Sequence, residues 1–390
     1  MSAEVISLGC RMNLAESERI RALLAGESEV VVVNSCAVTA AALQQTRQTI
    51  RQARRARPAA RLLVTGCAAE IDRSQIAAMP EVDGLVPNAA KLDPRAWNVA
   101  PAAALHQRQR TRAFIPVQNG CDHACTFCVI PQGRGPSRST PVSEVLRDIA
   151  RHLDRGAAEV VLTGGDLTGW GHDLDGGQRL GDLVAAILDQ FPTLPRLRLS
   201  SADGIEIDPM LFDLLASEPR VMPHVHLSLQ HGSDLILKRM KRRHLRRDAM
   251  RLVADLHAQR PDIAIGADLI AGFPTEDEAH HRDNLSAVAE LGVVHGHVFP
   301  YSPRPGTPAA RMPQLAGAVI RQRAAELRAE VARVRAGWLA GFVGKPLAVL
   351  AEKDGTGYSP HYARVTLPGG TDAGQIITIT PTRVEQGLLA

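Results

Sequence analysis

The sequence predicts an α/β protein in three parts. These are a small parallel α/β domain over residues 1–100, a central partial (βα)6 barrel over 111–340, and a small C-terminal β-barrel over 341–390. Three observations carry this reading. Short apolar strands alternate with helical stretches from the N-terminus onward, a longer strand–helix series begins at Phe114, and after Gly344 the chain turns to short alternating strands separated by turns.

In the first part, strands are expected at Glu4–Leu8, Val30–Val33 and Leu62–Val64, with helices near Leu14–Leu24, Ala40–Arg55 and Arg73–Met79. Alternation at this spacing argues for parallel strands joined by crossover helices. Each strand runs into a cysteine: Cys10, Cys36 and Cys67. In a parallel sheet the carboxyl ends share one edge, where open α/β sheets place their ligands. Three thiols from distant segments would meet there, and the small residues Gly9, Ser35 and Gly66 before them leave room for a bulky group. Buried cysteines behaving as small hydrophobes are the simpler alternative, but three in register favour a metal site. Ala100–Thr111 reads as a linker.

The central series has candidate strands at Phe114–Val117, Glu159–Leu162, Arg196–Ser200, Val225–Leu229, Ile263–Ile270 and Val293–Phe299. Helices follow most of them, at Val142–Asp154, Leu180–Gln190, Pro209–Ala216, Arg247–Ala258 and Asp277–Leu291. Six units are too few for a closed eight-stranded barrel, so an open one is expected, with its chemistry at the strand C-termini. Ala309–Leu339, rich in Ala, Arg and Glu, predicts a long helix. The last segment predicts an all-β module.

Composition sets the outer limits. The 390 residues are 45% hydrophobic but only 3% aromatic, so the core must be mostly aliphatic. No run approaches the roughly 18 apolar residues of a membrane span and no secretion signal is seen, so a cytoplasmic protein without membrane attachment is expected. A net charge of +4 says little, but its distribution says more. Lys238–Arg247 holds seven fixed positive charges and no acid until Asp248, and Arg47–Arg61 holds six arginines and no acid. Either run alone reads as a solvated helix face; together they point toward an RNA partner.

The densest chemistry lies in Gly120–Gly135, where Cys121, Cys125 and Cys128 stand on one short loop. Three thiolates at this spacing can hold three irons of a [4Fe–4S] cubane. Ferredoxin-type spacings supply a fourth cysteine nearby, but Cys128 is the last in the chain, so one iron would stay open to a small molecule. Zinc held with His123 and inert or redox-active thiols are the alternatives.

These residues together resemble one family, the radical S-adenosylmethionine (SAM) methylthiotransferases. The resemblance runs over essentially the whole chain: SLGCRMN at 7–13, VVNSCAVT at 32–39, VTGCAAE at 64–70, the cluster run, VVLTGGDLTGWG at 160–171, RLRLSS at 196–201, HVHLSLQHGSDLILKRMKRRH at 224–244, DLIAGFPTE at 268–276 and VFPYSPRPGTPA at 298–309. It implies that Cys121, Cys125 and Cys128 bind the SAM cluster and that Cys10, Cys36 and Cys67 bind a second [4Fe–4S] cluster. The C-terminal module resembles the TRAM domain, an RNA-binding β-barrel. An electron passed from the first cluster would cleave SAM to a 5′-deoxyadenosyl radical, a step that belongs to the cofactor. The second cluster would hold the sulfur to be inserted, and another SAM would methylate it.

Gly164, Gly165 and Asp166 resemble the glycine-rich SAM-binding turn of the superfamily, with Asp166 able to accept from the SAM amino group. Ser228 and Gln230, at a strand end, are further SAM-facing candidates, as are Asp268 and Gly272. Arg134 and Arg138 could contact SAM or RNA phosphate. Within the family the chain looks most like the group acting on N6-threonylcarbamoyladenosine beside the tRNA anticodon, with N6-isopentenyladenosine as the alternative substrate. A relative acting on a ribosomal protein would carry Pro-Lys where this chain has Arg11 and Met12. A non-catalytic, metal-containing RNA-binding protein is the competitor from another class. The expected partners are tRNA and an electron donor such as flavodoxin or ferredoxin.

Overall fold

The computed structural model describes residues 3–99 and 111–390; the expected linker falls almost wholly outside them. The chain divides into two units. The first takes the described part of residues 1–108 together with 118–138 and 302–307, and the second takes the rest.

In the first unit, strands Glu4–Ser7, Val30–Ser35, Arg61–Gly66 and Gly84–Leu85 form a parallel sheet in sequence order. Three were expected; the two-residue fourth was too short to leave a pattern. Both faces of the sheet are covered, as parallel sheets require. Val30 and Val32 pack with Ile20, Leu24 and Trp97 on one face, while Val31 and Val33 pack with Ile50, Ala53 and Ile76 on the other. Ile20 and Ile50 are fully buried, each contributing about 1.5–3 kcal/mol relative to exposure. Helix Arg11–Leu23 starts three residues earlier than the apolar pattern indicated, because Cys10 takes an extended N-cap conformation that launches the helix directly from the strand end.

The second unit carries six consecutive parallel strand segments: Arg112–Pro116, Glu159–Thr163, Leu197–Leu199 continued by Ser201–Ala202, His224–Gln230, Ala264–Ala271 and Val293–Pro300. The third is interrupted at Ser200, which divides the array into a three-stranded and a four-stranded sheet. Helices Val142–Leu153, Leu180–Gln190, Pro209–Ser217, Arg246–Gln259 and Glu278–Glu290 lie between the strands. One expectation fails. The helix expected at Ala309–Leu339 begins only at Gly317 and runs to Ala340, preceded by a 3-10 turn at Pro308–Arg311. Pro313 explains the break, since proline disfavours helical geometry in the residue before it.

The C-terminal segment forms a six-stranded, mostly antiparallel sheet, with one parallel pair at Val365 and Leu389. It packs within the second unit through charge and aromatic contacts. Glu159, wholly buried at the start of its strand, accepts from Arg198 through both oxygens at 3.2 Å. The Arg198 guanidinium lies 4.6 Å from the Tyr362 ring, Arg112 lies 4.5 Å from Tyr358, and the two tyrosine rings stack at 4.8 Å. Arg196 donates to the carbonyls of Tyr358 and Ala348. These groups sit at the N-terminal ends of the strands, so that end is closed by paired charges, and the C-terminal ends carry the candidate site.

Candidate functional site

All six cysteines fall in the first unit. Cys10 and Cys67 open the helices that follow the first and third strands, and Cys36 directly follows Ser35 at the end of the second. The register pairs Ser7 with Asn34 and Ser35 with Gly66, which brings the three strand ends level. Gly9 has φ +87°, and a Cβ there would lie 2.6 Å from the Cys36 Cβ, so only glycine fits between the two cysteines. A buried polar lattice fixes the strand ends. Asn13 Nδ2 donates to the carbonyls of Leu8 and Ser35, and Asn34 Nδ2 donates to the Asn13 carbonyl and to Ser17. Ser35 Oγ accepts from the amides of Ala68 and Ala69 just past Cys67.

Burial pushes the Cys36 and Cys67 thiols up from their ordinary range, and the neighbouring cysteines of the triad add to this. Metal binding must displace those protons, and nearby cations favour the thiolates. The cations are present. Arg134 Nη1 donates to Glu16 Oε1 and to Asn119 Oδ1, both at 2.9 Å, and Nη2 donates to Asn13 Oδ1 at 2.6 Å and lies 4.0 Å from the Cys10 sulfur. Lys91 Nζ donates to Glu16 Oε2. All three charged side chains are at most 4% exposed. Burial alone would raise the Glu16 carboxyl, but Lys91 and Arg134 hold it below its ordinary value. One carboxylate between two cations leaves a net positive charge beside three thiols.

The second triad is built differently. Cys121, Cys125 and Cys128 lie on a loop held by its own backbone. The Cys121 amide donates to the Gly135 carbonyl and the Cys128 amide to the Cys125 carbonyl, both at 3.2 Å. The amides of His123 and Ile130 point at the sulfurs of Cys121 and Cys128 at 3.4 Å. Gly120, at φ +77°, closes the loop where a Cβ would strike the Pro136 carbonyl. The short helix Ile130–Arg134 follows, and the carbonyl of Gly133 accepts from Asn88. A Cβ on Gly133 would lie 3.3 Å from that of Cys67, so this helix packs on the third strand-end cysteine.

Arg134 is therefore neither a solvated loop residue nor free for RNA phosphate; it is buried and committed to Glu16. Arg138 is exposed. Glu16, Lys91 and the asparagines were missed because nothing in their local sequence distinguishes them.

The SAM candidates lie in the second unit. Gly164, Gly165 and Asp166 follow strand Glu159–Thr163, and the Asp166 carboxylate folds over the next turn, 2.8 Å from where a Cβ on Gly169 would be. Gln230 ends its strand with φ +67°, a conformation costly for a non-glycine residue. The carbonyl of Ser228 accepts from Arg242, whose Nη2 also donates to Asp203. Gly272, at φ +71°, abuts Ile320 and serves packing. Asp268 joins a polar cluster: its Oδ1 lies 3.0 Å from His226 Nε2 and 3.1 Å from His297 Nδ1, and Ser201 donates to Oδ2. Burial opposes ionisation of Asp268, but the two histidines overcome it and hold the carboxyl well below the usual carboxylate range.

The basic runs are less available than their sequence suggested. In the first, Arg239, Arg242 and Arg246 donate to Thr275, Asp203 and Ser286. Lys238 and Lys241 line an open cleft of about 510 Å³, and Arg243 beside them pairs with Glu206. In the second, Arg47, Arg54 and Arg57 face Asp72, Asp83 and Glu4, acids contributed by other segments.

Residues 115–287 match the radical SAM superfamily and residues 2–87 match Uncharacterized protein family UPF0004. The chain is 38% identical to the threonylcarbamoyladenosine tRNA methylthiotransferase MtaB of Rickettsia prowazekii over 99% of this chain and 96% of that protein. It is 31% identical to the tRNA-2-methylthio-N(6)-dimethylallyladenosine synthase of Erythrobacter litoralis, covering 96% and 93%. Among solved structures, the radical SAM methyltransferase TsrM from Kitasatospora setae aligns with TM-score 0.54 at 17% identity, over 73% of this chain and 67% of that one, a likeness of fold alone. With two cysteine triads, strand-end candidates for SAM and full-length relatives of this kind, the chain belongs to the radical-SAM methylthiotransferases, enzymes that work with a [4Fe–4S] cluster and SAM.

Proposed function

We propose that this enzyme inserts a methylthio group at carbon 2 of N6-threonylcarbamoyladenosine, next to the anticodon of tRNA. The observation that carries the proposal is the presence of two separate cysteine triads, each with three sulfurs, in one unit. Three cysteines would leave one iron of a cubane without a protein ligand, so the site held by Cys121, Cys125 and Cys128 could accept SAM and the site held by Cys10, Cys36 and Cys67 the sulfur to be inserted. The donor sets fit: three cysteines in each, no fourth cysteine, and a cationic surround at the strand-end triad. When bound, the loop cluster and SAM supply the radical that an unactivated aromatic C–H bond demands. The protein holds the thiolates, excludes water around Cys36 and Cys67, and keeps a compensating positive charge on Arg134.

Two observations support threonylcarbamoyladenosine over the isopentenyl nucleoside. Relatives named for it match at 38% and 34% identity. The cluster of His226, Asp268 and His297, within three neighbouring strands of the central unit, is polar, with the His297 side chain 61% exposed. Such a surface suits the carboxylate and hydroxyl of a threonylcarbamoyl group better than an isoprenoid hydrocarbon. The base must leave its stack for chemistry at carbon 2, which is easiest in a single-stranded anticodon loop. The cleft lined by Lys238 and Lys241 offers phosphate contacts whose affinity would fall with salt. Tyr358 and Tyr362 are engaged with arginines, so the C-terminal sheet would bind RNA backbone without base stacking. An external one-electron donor such as flavodoxin or ferredoxin completes the cycle.

The test is mass spectrometry of tRNA nucleosides from cells lacking this gene, beside the parent. Loss of the 2-methylthio form of threonylcarbamoyladenosine with accumulation of its precursor supports the proposal. Loss of the isopentenyl counterpart instead moves the substrate while keeping the reaction, and no change in either nucleoside rejects a tRNA substrate.

A further inference from the structure

Two buried arginines stand near the strand-end triad, and they differ in one respect. Arg134 Nη1 and Nη2 are engaged by Glu16, Asn13 and Asn119, with Nη2 also 4.0 Å from the Cys10 sulfur. Arg304 is 3% exposed, yet its Nε has no hydrogen-bond partner among the described residues. A buried guanidinium with an unused donor is costly, since an unsatisfied charged group forfeits its hydration without compensation.

The placement of Arg304 gives that donor a purpose. Residues 302–307 belong to the first unit although they are distant from it in sequence. The segment is anchored at both ends. Ser302 Oγ accepts from the amide of Ala40, four residues past Cys36, at 3.1 Å. Gly306, at φ +83°, sits where a Cβ would lie 3.7 Å from Gln132 Nε2, four residues past Cys128. Between the anchors the turn is fixed by the Thr307 amide and hydroxyl, both donating to the Arg304 carbonyl. Burial weakens the charge on this guanidinium, and against it act the Asp72 carboxylate and the Cys36 thiolate. Asp72 is already paired with Arg47, which leaves the neighbourhood of Cys36 as the side where an anion is wanting.

We propose that Arg304 is a positioning residue for an anionic sulfur ligand, a hydrosulfide or thiolate, at the iron that Cys10, Cys36 and Cys67 leave open. This rests on the reading of that triad as a cluster site. Three thiolates make the site negative, and a further anionic ligand would be repelled without added positive charge. Arg134 supplies charge but its donors are committed chiefly to Glu16, Asn13 and Asn119; Arg304 supplies charge and an Nε donor without a partner among the described residues. A guanidinium N–H directed at sulfur would hold the ligand in place and strengthen its binding.

The test uses the full chain with Cys121, Cys125 and Cys128 all changed to alanine, reconstituted without oxygen so that only the strand-end triad can hold iron. Methanethiolate is titrated in and followed by electron paramagnetic resonance of the reduced cluster. With Arg304→Gln added, iron content should be retained and methanethiolate affinity should fall about tenfold or more, as expected for loss of a charge-assisted hydrogen bond. Unchanged affinity with iron retained overturns the role of Arg304 alone. A triple-alanine protein that holds no iron overturns the cluster reading beneath it. Should Arg304→Gln lose its iron, Arg304→Lys decides, because it keeps the charge but not the planar donor fork. Weaker methanethiolate binding in that variant supports the proposal, and parental binding overturns it.

Discussion

The two cysteine triads bring three sulfurs together by opposite means. The loop triad is local: eight consecutive residues carry all three sulfurs, and the donors around them are amides of the same loop. The strand-end triad is global: its cysteines are 26 and 31 positions apart and meet only because three parallel strands end level. A local site needs backbone freedom at a few positions, such as Gly120. A global site needs a scaffold, and here the scaffold is a buried polar lattice with Glu16 between Lys91 and Arg134. It follows that damage to the fold should reach the strand-end triad first.

The comparison can be broken most completely at the sulfurs. Cys125→Ala should abolish formation of 5′-deoxyadenosine. Cys36→Ala should leave SAM cleavage measurable while removing the methylthio product. Both products are quantified by mass spectrometry in one anaerobic assay. If Cys36→Ala stopped SAM cleavage as fully as Cys125→Ala, the division of labour would be wrong.

The scaffold offers the next largest effect. Arg134→Ala removes one cation from a buried carboxylate and should destabilise the protein by about 3–5 kcal/mol, the usual cost of breaking a buried pair. Arg138→Ala, four residues on and exposed, should change stability by less than about 0.5 kcal/mol. Denaturant melts of the metal-free proteins separate the two. A smaller step is Gly9→Ala. Its φ of +87° and the approach to Cys36 should cost about 1–3 kcal/mol, and iron should be lost from the strand-end triad while the loop cluster retains its SAM-dependent signal. Equal loss from both would show that the triads are not independent.

Acid should expose the same asymmetry most gently. The native Glu16 carboxyl lies below its ordinary value. The stability it contributes is fully present above its unfolded pKa, about 4.3, and is lost as pH falls through the lower native one. The stability gap between the parent and Glu16→Gln should therefore be widest near neutrality and narrow below about pH 4. A gap that is constant with pH would mean that the carboxylate charge is not what Lys91 and Arg134 stabilise.

The same contrast explains what could be read from the chain. The loop triad was legible outright, because its spacing is its geometry. The strand-end triad was legible through periodicity: three apolar runs each ending in cysteine imply one edge. Six parallel strands of the central unit were likewise visible as repeated apolar segments. Long-range pairing was not visible. The Arg47–Arg61 run looked free because Asp72, Asp83 and Glu4, which oppose it, lie elsewhere in sequence. Arg134 looked solvent-facing because its partner Glu16 lies 118 residues away. Charge satisfaction is a tertiary property, and a single sequence records the charges without their partners.

The most direct measurement is iron content and Mössbauer spectroscopy of three anaerobically reconstituted proteins: the parent, a variant with Cys10, Cys36 and Cys67 changed to alanine, and a variant with Cys121, Cys125 and Cys128 changed to alanine. Each triple variant should retain half of the parent's iron as a [4Fe–4S] cluster, and only the variant that keeps the loop cysteines should change its spectrum on adding SAM. A triple variant that loses all its iron, or a strand-end triad that responds to SAM, would contradict two separate sites with separate roles.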